Sequence, residues 1–519
     1  MLIKNYIYIS IIIFYSFFIN WFSANLGVLP IDTFGFFDTG YGILKGQLPI
    51  KDYWAYTGLT VDYFQSFFFL IFGNNWNSYI IHSSFINVIA SLVFYYFLIK
   101  IKIPDNFSII YSLSFATLLY PVSGTPFAYL HAYIFSLIGI MLFFILYNSK
   151  NSNFWALIPI IYFLSFFSMQ TPTIYILALM IPFIIFTLVK EKNFSMFKQL
   201  IVGSCISIIF LFIYLYLANT PIKDFIYQYF LFPITIAEGR ITSDIDAYVR
   251  LIDQLNLKRV FGDFKFIHLF LIPLIFIQLI KIKNKKIDKT FYLSLIFIFS
   301  SVLFIYNQLL QANQIYIFSL VPVLAAILHR NTNFDKNKFI SFFIIGLIIF
   351  VSVKFHIRYN VERKFIDLEH VDKSVAFSAK NIHNKLDNLK WISRFSSPSE
   401  DEIFLEKVIK TLKNEKENTF IITHYQFFST VLDKNFYLLN RWYIWDNNSH
   451  PTENHKYFDY YKEFVLRNFE KKEIKVIYLI GEKNEFNYNN IKNYFDNKCF
   501  DQKEIVEKRF IKLSLKNCI

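Results

Sequence analysis

Three aspartates stand close together in "DTFGFFDTGYGILKGQLPIKDYW", residues 32–54, directly after a hydrophobic run. A positioned carboxylate can take the proton from a hydroxyl as that hydroxyl attacks an electrophilic carbon, so Asp32, Asp38 and Asp52 are candidate general bases. Each also has a plainer reading. Asp32 could cap a helix beginning at Thr33, and the two roles are compatible. Asp38, six residues on, lies off the helical face of Asp32 and competes with it for the same role. Asp52 could be a turn residue after Pro49. Gly35 and Gly42, on one helical stripe, would let another backbone come close.

Chemistry at a phosphate ester also needs a cation. "IAEGRITSDIDAYVR" (236–250) places Arg240 after Glu238 and Gly239 at a bend, and the forked guanidinium suits phosphate oxygens. Lys51, beside Asp52, is the other candidate. Arg250 and Arg259 read more simply as solvated charge. Two polar interruptions could line a pocket or be ordinary loop residues: Gln170 in "SMQTP", and Gln311 and Asn313 in "NQLLQANQIY".

The elements that must position these residues are membrane spans. The chain is 55% hydrophobic and only 17% charged, too little charge for the surface of a water-soluble protein of 519 residues. About eleven runs approach the length a span needs, near 5–22, 78–99, 106–121, 126–147, 154–169, 172–190, 199–218, 264–281, 290–307, 313–329 and 338–355. The third, fifth and tenth are short. The first could be read as a signal peptide, but no small-residue cleavage site follows it. A further segment, "VDYFQSFFFLIFG" (61–73), reads as an amphipathic helix at the interface. With the N-terminus inside, the short inner segments hold about fifteen Lys and Arg. The two long outer loops, 23–77 and 219–263, hold about seven. That asymmetry accounts for the net charge of +14 and argues against nucleic-acid binding. "KFHIRYNVERK", on the side assigned outside, runs against it.

From residue 356 charge rises and apolar runs shorten. "NTFIITHY" (418–425) and "IKVIYLIG" (474–481) read as buried strands, and "NHKYFDYYKEFVLRNF" (454–469) as an amphipathic helix. The expected architecture is an all-α polytopic membrane bundle over residues 1–355, followed by a soluble, extracytoplasmic α/β domain over 356–519. No GxGxxG or P-loop accompanies the strands. Cys499 and Cys518 could close a disulfide worth about 3 kcal/mol in an oxidising compartment, or be two thiols. Cys205 reads as a packing residue. No CxxC or Cys/His cluster suggests structural zinc.

The first outer loop resembles that of the C-type (GT-C) superfamily of integral membrane glycosyltransferases. That pattern has an acidic residue after the first span, then a glycine, then P-[YI]-x-D, then an apolar segment ending in FG. This chain has Asp32, Gly46, "PIKD" (49–52) and "FFFLIFG" (67–73). The nearest likeness is to bacterial relatives of protein O-mannosyltransferases and of the lipid A aminoarabinose transferase. The match spans about 45 residues.

The resemblance implies an inverting transfer of a sugar from a polyprenyl-phosphate donor to a glycan, lipid or protein acceptor on the extracytoplasmic face of a bacterial cell membrane. It assigns Asp32 to the catalytic acidic position and Asp52 to the second acidic marker. The chain departs from it in two places. Several relatives carry HKPP after the second Asp, where this chain has "AYTGLT" (55–60). "YPVSGTPF" (120–127) lacks the acidic residue that some relatives place in their second outer loop. No cofactor is firmly implied, and a divalent metal is left open. A lipid-linked-sugar transporter would show internal repeats and charge at mid-membrane, and neither is evident. A surface-polysaccharide polymerase or ligase, and a non-catalytic scaffold, are the remaining alternatives.

Overall fold

The computed structural model describes residues 2–120, 124–149, 152–242, 250–313, 315–332, 338–495 and 498–516. The membrane part begins with α1 (Leu2–Ala24). Three helices fill the first long loop: α2 (Pro30–Thr33), α3 (Phe37–Leu44) and α4 (Leu59–Phe72). Then follow α5 (Trp76–Lys100), α6 (Asp105–Leu119), α7 (Ala128–Ser149), α8 (Leu157–Ser168), α9 (Gln170–Glu191) and α10 (Phe194–Leu217). The second long loop is likewise helical, with α11 (Ile222–Ile226), α12 (Phe232–Ile241) and α13 (Leu251–Gln254). The bundle closes with α14 (Lys265–Lys283), α15 (Lys289–Leu310), α16 (Leu320–Asn331) and α17 (Lys338–Phe355).

Among the described residues, eight helices are long and apolar enough to cross a membrane, which makes the chain a multi-pass membrane protein. Each of the eleven expected runs contains a helix. However, α6, α8 and α16 have only 15, 12 and 12 residues, so eleven full spans are not seen. Polar residues start several of the long helices. The side chains of Asn75, Asn193 and Asp288 accept hydrogen bonds from the amides of Ser78, Met196 and Phe291, opening α5, α10 and α15. Helix α7 is buried along nearly its whole length at the centre of the bundle, whereas α10 exposes Phe210, Phe212 and Tyr216 at its margin.

The terminal part contains a two-stranded ribbon, β1 (Phe377–Ser378) and β2 (Lys390–Trp391), and a four-stranded sheet. The sheet strands are β3 (Thr419–Thr423), β4 (Val476–Ile480), β5 (Cys499–Val506) and β6 (Phe510–Lys516), in the order β3-β4-β6-β5. β3 and β4 are parallel and wholly buried, and the other two pairings are antiparallel. Helix α18 (Pro398–Asn414) starts on a Ser397–Glu400 capping box. The short α19 (Phe428–Leu432) and then α20 (Phe458–Lys471) complete the crossover from β3 to β4.

The apolar core runs across residue 356. Phe34, Phe36, Phe37 and Trp76 share one cluster with Trp391, Phe427 and Phe428, and Trp54 and Phe232 share another with Leu439, Tyr461 and Phe464. The α/β part is therefore seated on both long loops. Arg363 adds a link, its Nε donating to the carbonyl of Leu26 at 2.8 Å and joining the end of the last long helix to the end of the first.

Candidate active site

The first loop is shaped by a buried ion pair. Asp62, near the start of α4, meets the guanidinium of Arg441 from the terminal domain, and both are almost completely buried. Asp62 also accepts hydrogen bonds from Thr39 Oγ1 (2.6 Å) and Tyr53 OH (3.1 Å). Arg441 lies over the rings of Phe36 and Trp442, at 4.6 and 5.3 Å from their centroids, and donates to the carbonyl of Thr57. The close approach requires Gly58, whose φ is +85°. A Cβ there would lie 2.6 Å from Phe36 and 2.7 Å from Arg441 Nη1.

Two of the three opening aspartates also engage the terminal domain. Asp38, buried in α3, accepts the backbone N–H of Ser429 (3.1 Å) and of Thr430 (2.9 Å), and the Thr430 hydroxyl (2.6 Å). It thus satisfies free amides at the start of α19. Burial pushes its carboxyl up to about 6, with the Thr430 and Ser429 hydrogen bonds opposing. Asp52 is buried too. It accepts the Leu48 amide at 2.9 Å and faces Lys472 Nζ at 3.3 Å and Lys471 Nζ at 3.7 Å. Lys51 donates to the carbonyl of Ala218 at 2.7 Å, fastening the first long loop to the start of the second. Gln170 is similarly engaged, with its amide nitrogen bridging the carbonyls of Tyr56 (2.8 Å) and Tyr229 (2.9 Å).

Asp32 differs. It lies inside the short helix α2 rather than at an N-cap before Thr33. The N-cap is Leu29, which makes no side-chain cap. The expected helix beginning at Thr33 is broken, because α3 starts only at Phe37. The glycine stripe fails for the same reason: Gly35 lies outside α3 and sits against Trp442, where a Cβ would come 3.2 Å from Nε1. The half-buried Asp32 carboxylate accepts no hydrogen bond from the described residues. Desolvation raises it to about 6, and His424 partly opposes that rise.

His424 follows β3 and is held by Glu485, which follows β4, with Nδ1 to Oε1 at 2.8 Å. The other oxygen of Glu485 accepts the Glu482 amide at 2.8 Å. Burial raises the Glu485 carboxyl, but contact with His424 outweighs this and holds it below the ordinary range. His424 Nε2 is buried without a hydrogen-bond partner among the described residues. His424 and Glu485 thus stand at the C-terminal ends of two adjacent parallel strands, where open α/β sheets commonly place functional groups.

The second loop reaches the same region. Trp442 donates Nε1–H to the carbonyl of Ile31 at 3.1 Å and packs on Tyr56, 6.2 Å between centroids. Tyr56 in turn lies within electrostatic reach of Arg240. Arg240 lies near the end of α12 and donates to Asn448 Oδ1 at 3.1 Å and to the carbonyl of Leu310 at 3.5 Å, while its Nε is buried without a partner. Desolvation lowers its pKa, with Tyr56 and Asp446 opposing. Gln311 and Asn313 occupy the turn after α15. Three residues beyond Asn313, Tyr316 is raised well above the ordinary tyrosine range, by burial first and by Asp32 second.

Among the described residues, no group of three or more His, Cys, Asp or Glu side chains could hold a metal ion. Cys499, at the start of β5, is disulfide-bonded, and Cys518 lies outside the described residues. Parts of "YPVSGTPF" (residues 121–123) and of the Arg240 segment (243–249) also lie outside them.

The residues not singled out from sequence are Asp62, Arg441, His424 and Glu485. The available signals were a carboxylate heading an otherwise apolar segment, and "THY" ending an apolar strand. Neither showed which partner it would meet.

No family model and no curated protein sequence matches the chain. Among solved structures it is similar to the Archaeoglobus fulgidus oligosaccharyltransferase, crystallised as a complex with zinc and sulfate. The identity is 12% and the TM-score 0.48, over 91% of this chain and 68% of that one. A likeness at that level identifies no residue role in this chain.

Proposed function

We propose that the protein is an integral membrane glycosyltransferase that moves a sugar from a polyprenyl-phosphate donor to a hydroxyl-bearing glycan, lipid or protein acceptor. Asp32 is the base. The acceptor oxygen bonds to the anomeric carbon as the bond from that carbon to the lipid phosphate oxygen breaks. The acceptor proton passes to a carboxylate oxygen of Asp32, and the lipid phosphate leaves with the bonding electrons. Displacement from the opposite face inverts the anomeric configuration. Arg240 offers hydrogen bonds to the departing phosphate. His424, held by Glu485, sets the charge beside Asp32. Gln311 and Asn313 line the approach to it, while Gln170 holds the loop backbone.

The observation that carries this reading is the contrast among the first-loop carboxylates. Asp38, Asp52 and Asp62 are each occupied by partners from the terminal domain, and Asp32 alone of the four takes no hydrogen bond from the described residues. A base must be free to accept a proton and must be ionised near neutral pH, and Asp32 meets both conditions. The loop-rich end, with its disulfide-bonded Cys499, suits the oxidising extracytoplasmic side of a bacterial cell membrane, with the N-terminus inside.

The test is transfer from a radiolabelled polyprenyl-phosphate sugar in membranes carrying the wild-type chain, Asp32→Asn or Asp32→Glu. Transfer should be lost in Asp32→Asn and partly kept in Asp32→Glu. Undiminished transfer by Asp32→Asn would remove Asp32 from the role. A cysteine placed at the exposed Lys380 should label only from the extracytoplasmic side.

A further inference from the structure

The end of the bundle remote from the first loop holds a second concave site. Its volume is about 290 Å³, and Lys100, Lys102, Lys190, Lys289 and Arg330 line it. They come from the far end of α5 and the turn after it, from the far ends of α9 and α16, and from the start of α15. The opposite ends of these helices approach the candidate active site: Gln170 opens α9, and Leu310 closes α15. A helix of 22 residues spans about 33 Å, so the recess lies roughly a bilayer thickness from Asp32 and does not depend on the catalytic reading.

The charge here is unbalanced. None of the five cations forms a salt bridge among the described residues. Two of them lie on aromatic rings instead, Lys289 at 4.6 Å from the Tyr147 centroid and Lys190 at 5.5 Å from that of Tyr292. The nearby acids are engaged elsewhere: Glu191 accepts the Tyr147 hydroxyl at 3.1 Å, and Asp288 is paired with Lys281 at 3.2 Å. Inner-loop cations are ordinarily solvated singly. Here four helix ends turn them onto one recess floored by aromatic rings, and like charges brought together in a concavity repel unless an anion neutralises them.

We propose that this recess is a binding site for a phosphate group at the membrane surface opposite the first loop. An anionic phospholipid headgroup and a free phosphate share that chemistry. The aromatic floor additionally suits the glycerol and upper acyl portion of a lipid.

The experiment uses the purified full-length chain in neutral detergent, reading the thermal midpoint from tryptophan fluorescence. Phosphatidylglycerol, phosphatidylcholine and inorganic phosphate are titrated separately. The test variant replaces the three exposed lysines, Lys102→Gln, Lys190→Gln and Lys289→Gln, leaving the half-buried Lys100 and Arg330. The control variant removes the same charge from the terminal domain, with Lys407→Gln, Lys413→Gln and Lys416→Gln.

Phosphatidylglycerol should raise the midpoint of the wild-type and control chains, with at least tenfold weaker apparent affinity in the test variant and no effect of phosphatidylcholine. The same pattern with inorganic phosphate alone would assign the site to a soluble phosphate. Equal responses of test and control variants, or no response of the wild type to either anion, would overturn the proposal. Should the triple variant elute as aggregate, the three single variants, all at exposed positions, decide the same question.

Discussion

The two ends of the helix bundle treat charge in opposite ways. At the first-loop end, aspartates are matched to partners from the terminal domain: Asp62 to Arg441, Asp52 to Lys472, and Asp38 to the amides that open α19. At the far end, five cations surround a recess with no carboxylate among the described residues to meet them. A matched buried charge holds structure together, because leaving one member unpaired is costly. An unmatched charge is available to something that arrives from outside. Asp32 is the instructive exception at the first-loop end, an unmatched carboxylate inside an otherwise matched set.

The comparison can be broken most severely at that exception. Asp32→Asn should lower the transfer rate by about a hundredfold to ten-thousandfold, the usual range for losing a general base, with an unchanged thermal midpoint. A lowered midpoint would instead place Asp32 among the structural carboxylates.

The matched set should respond in the reverse sense. Arg441→Met leaves Asp62 buried without its cation and should destabilise the terminal domain by about 3–5 kcal/mol, with hydrogen exchange rising across β3 and α19. Pairing it with Asp62→Leu should recover much of that loss, since replacing both members by apolar groups is often close to neutral. Failure of the double variant to recover would show that Thr39 and Tyr53 depend on Asp62 more than Arg441 does.

Asp38→Ala strips the acceptor from two amides and a hydroxyl. It should cost about 2–3 kcal/mol by denaturant titration in detergent, and Asp38→Asn should cost less.

The pH dependence sharpens the contrast without mutation. As the proposed base, Asp32 would act only when ionised, and burial raises it to about 6. The transfer rate should therefore fall as pH drops through about 6 and level off above it. The burial-raised Asp38 has a separate consequence for stability. Its folded-state pKa lies above its unfolded one, so the folded state binds the proton more tightly, and stability should decline as pH rises from about 4 to about 6. The smallest effect belongs to Lys51→Ala. This variant removes one donor to the Ala218 carbonyl and should cost about 1 kcal/mol or less, with little change in transfer.

The helical ranges and the change of character near residue 356 were legible because they rest on local properties: apolar runs of span length, and alternating runs broken by charge. β3, β4 and α20 fall where periodicity placed them. Orientation of side chains across the two long loops was not legible. A continuous helix from Thr33 was expected, yet the chain breaks at Phe34–Phe36, where Phe34 packs on Phe427 and Trp391. Tertiary packing overrode local propensity there. Asp32, Arg240 and the turn holding Gln311 and Asn313 were picked out by residue type. Gln170 and Lys51 were also picked out, but both are spent on backbone carbonyls, which no one-dimensional pattern reveals.

The sequence by itself determined that this is a membrane protein with a charged terminal domain, that its first loop concentrates carboxylates, and that its basic residues gather at one set of helix ends. These follow from composition and spacing alone. Only the tertiary structure decided which carboxylate stays without a partner. That depends on groups 379 and 392 positions away in the chain, Arg441 for Asp62 and Thr430 for Asp38, and on the core that crosses residue 356 to bring them together. Burial and pairing are properties of the folded surface as a whole, so equivalent aspartates in one short stretch became three structural ties and one carboxylate without a hydrogen-bond partner among the described residues.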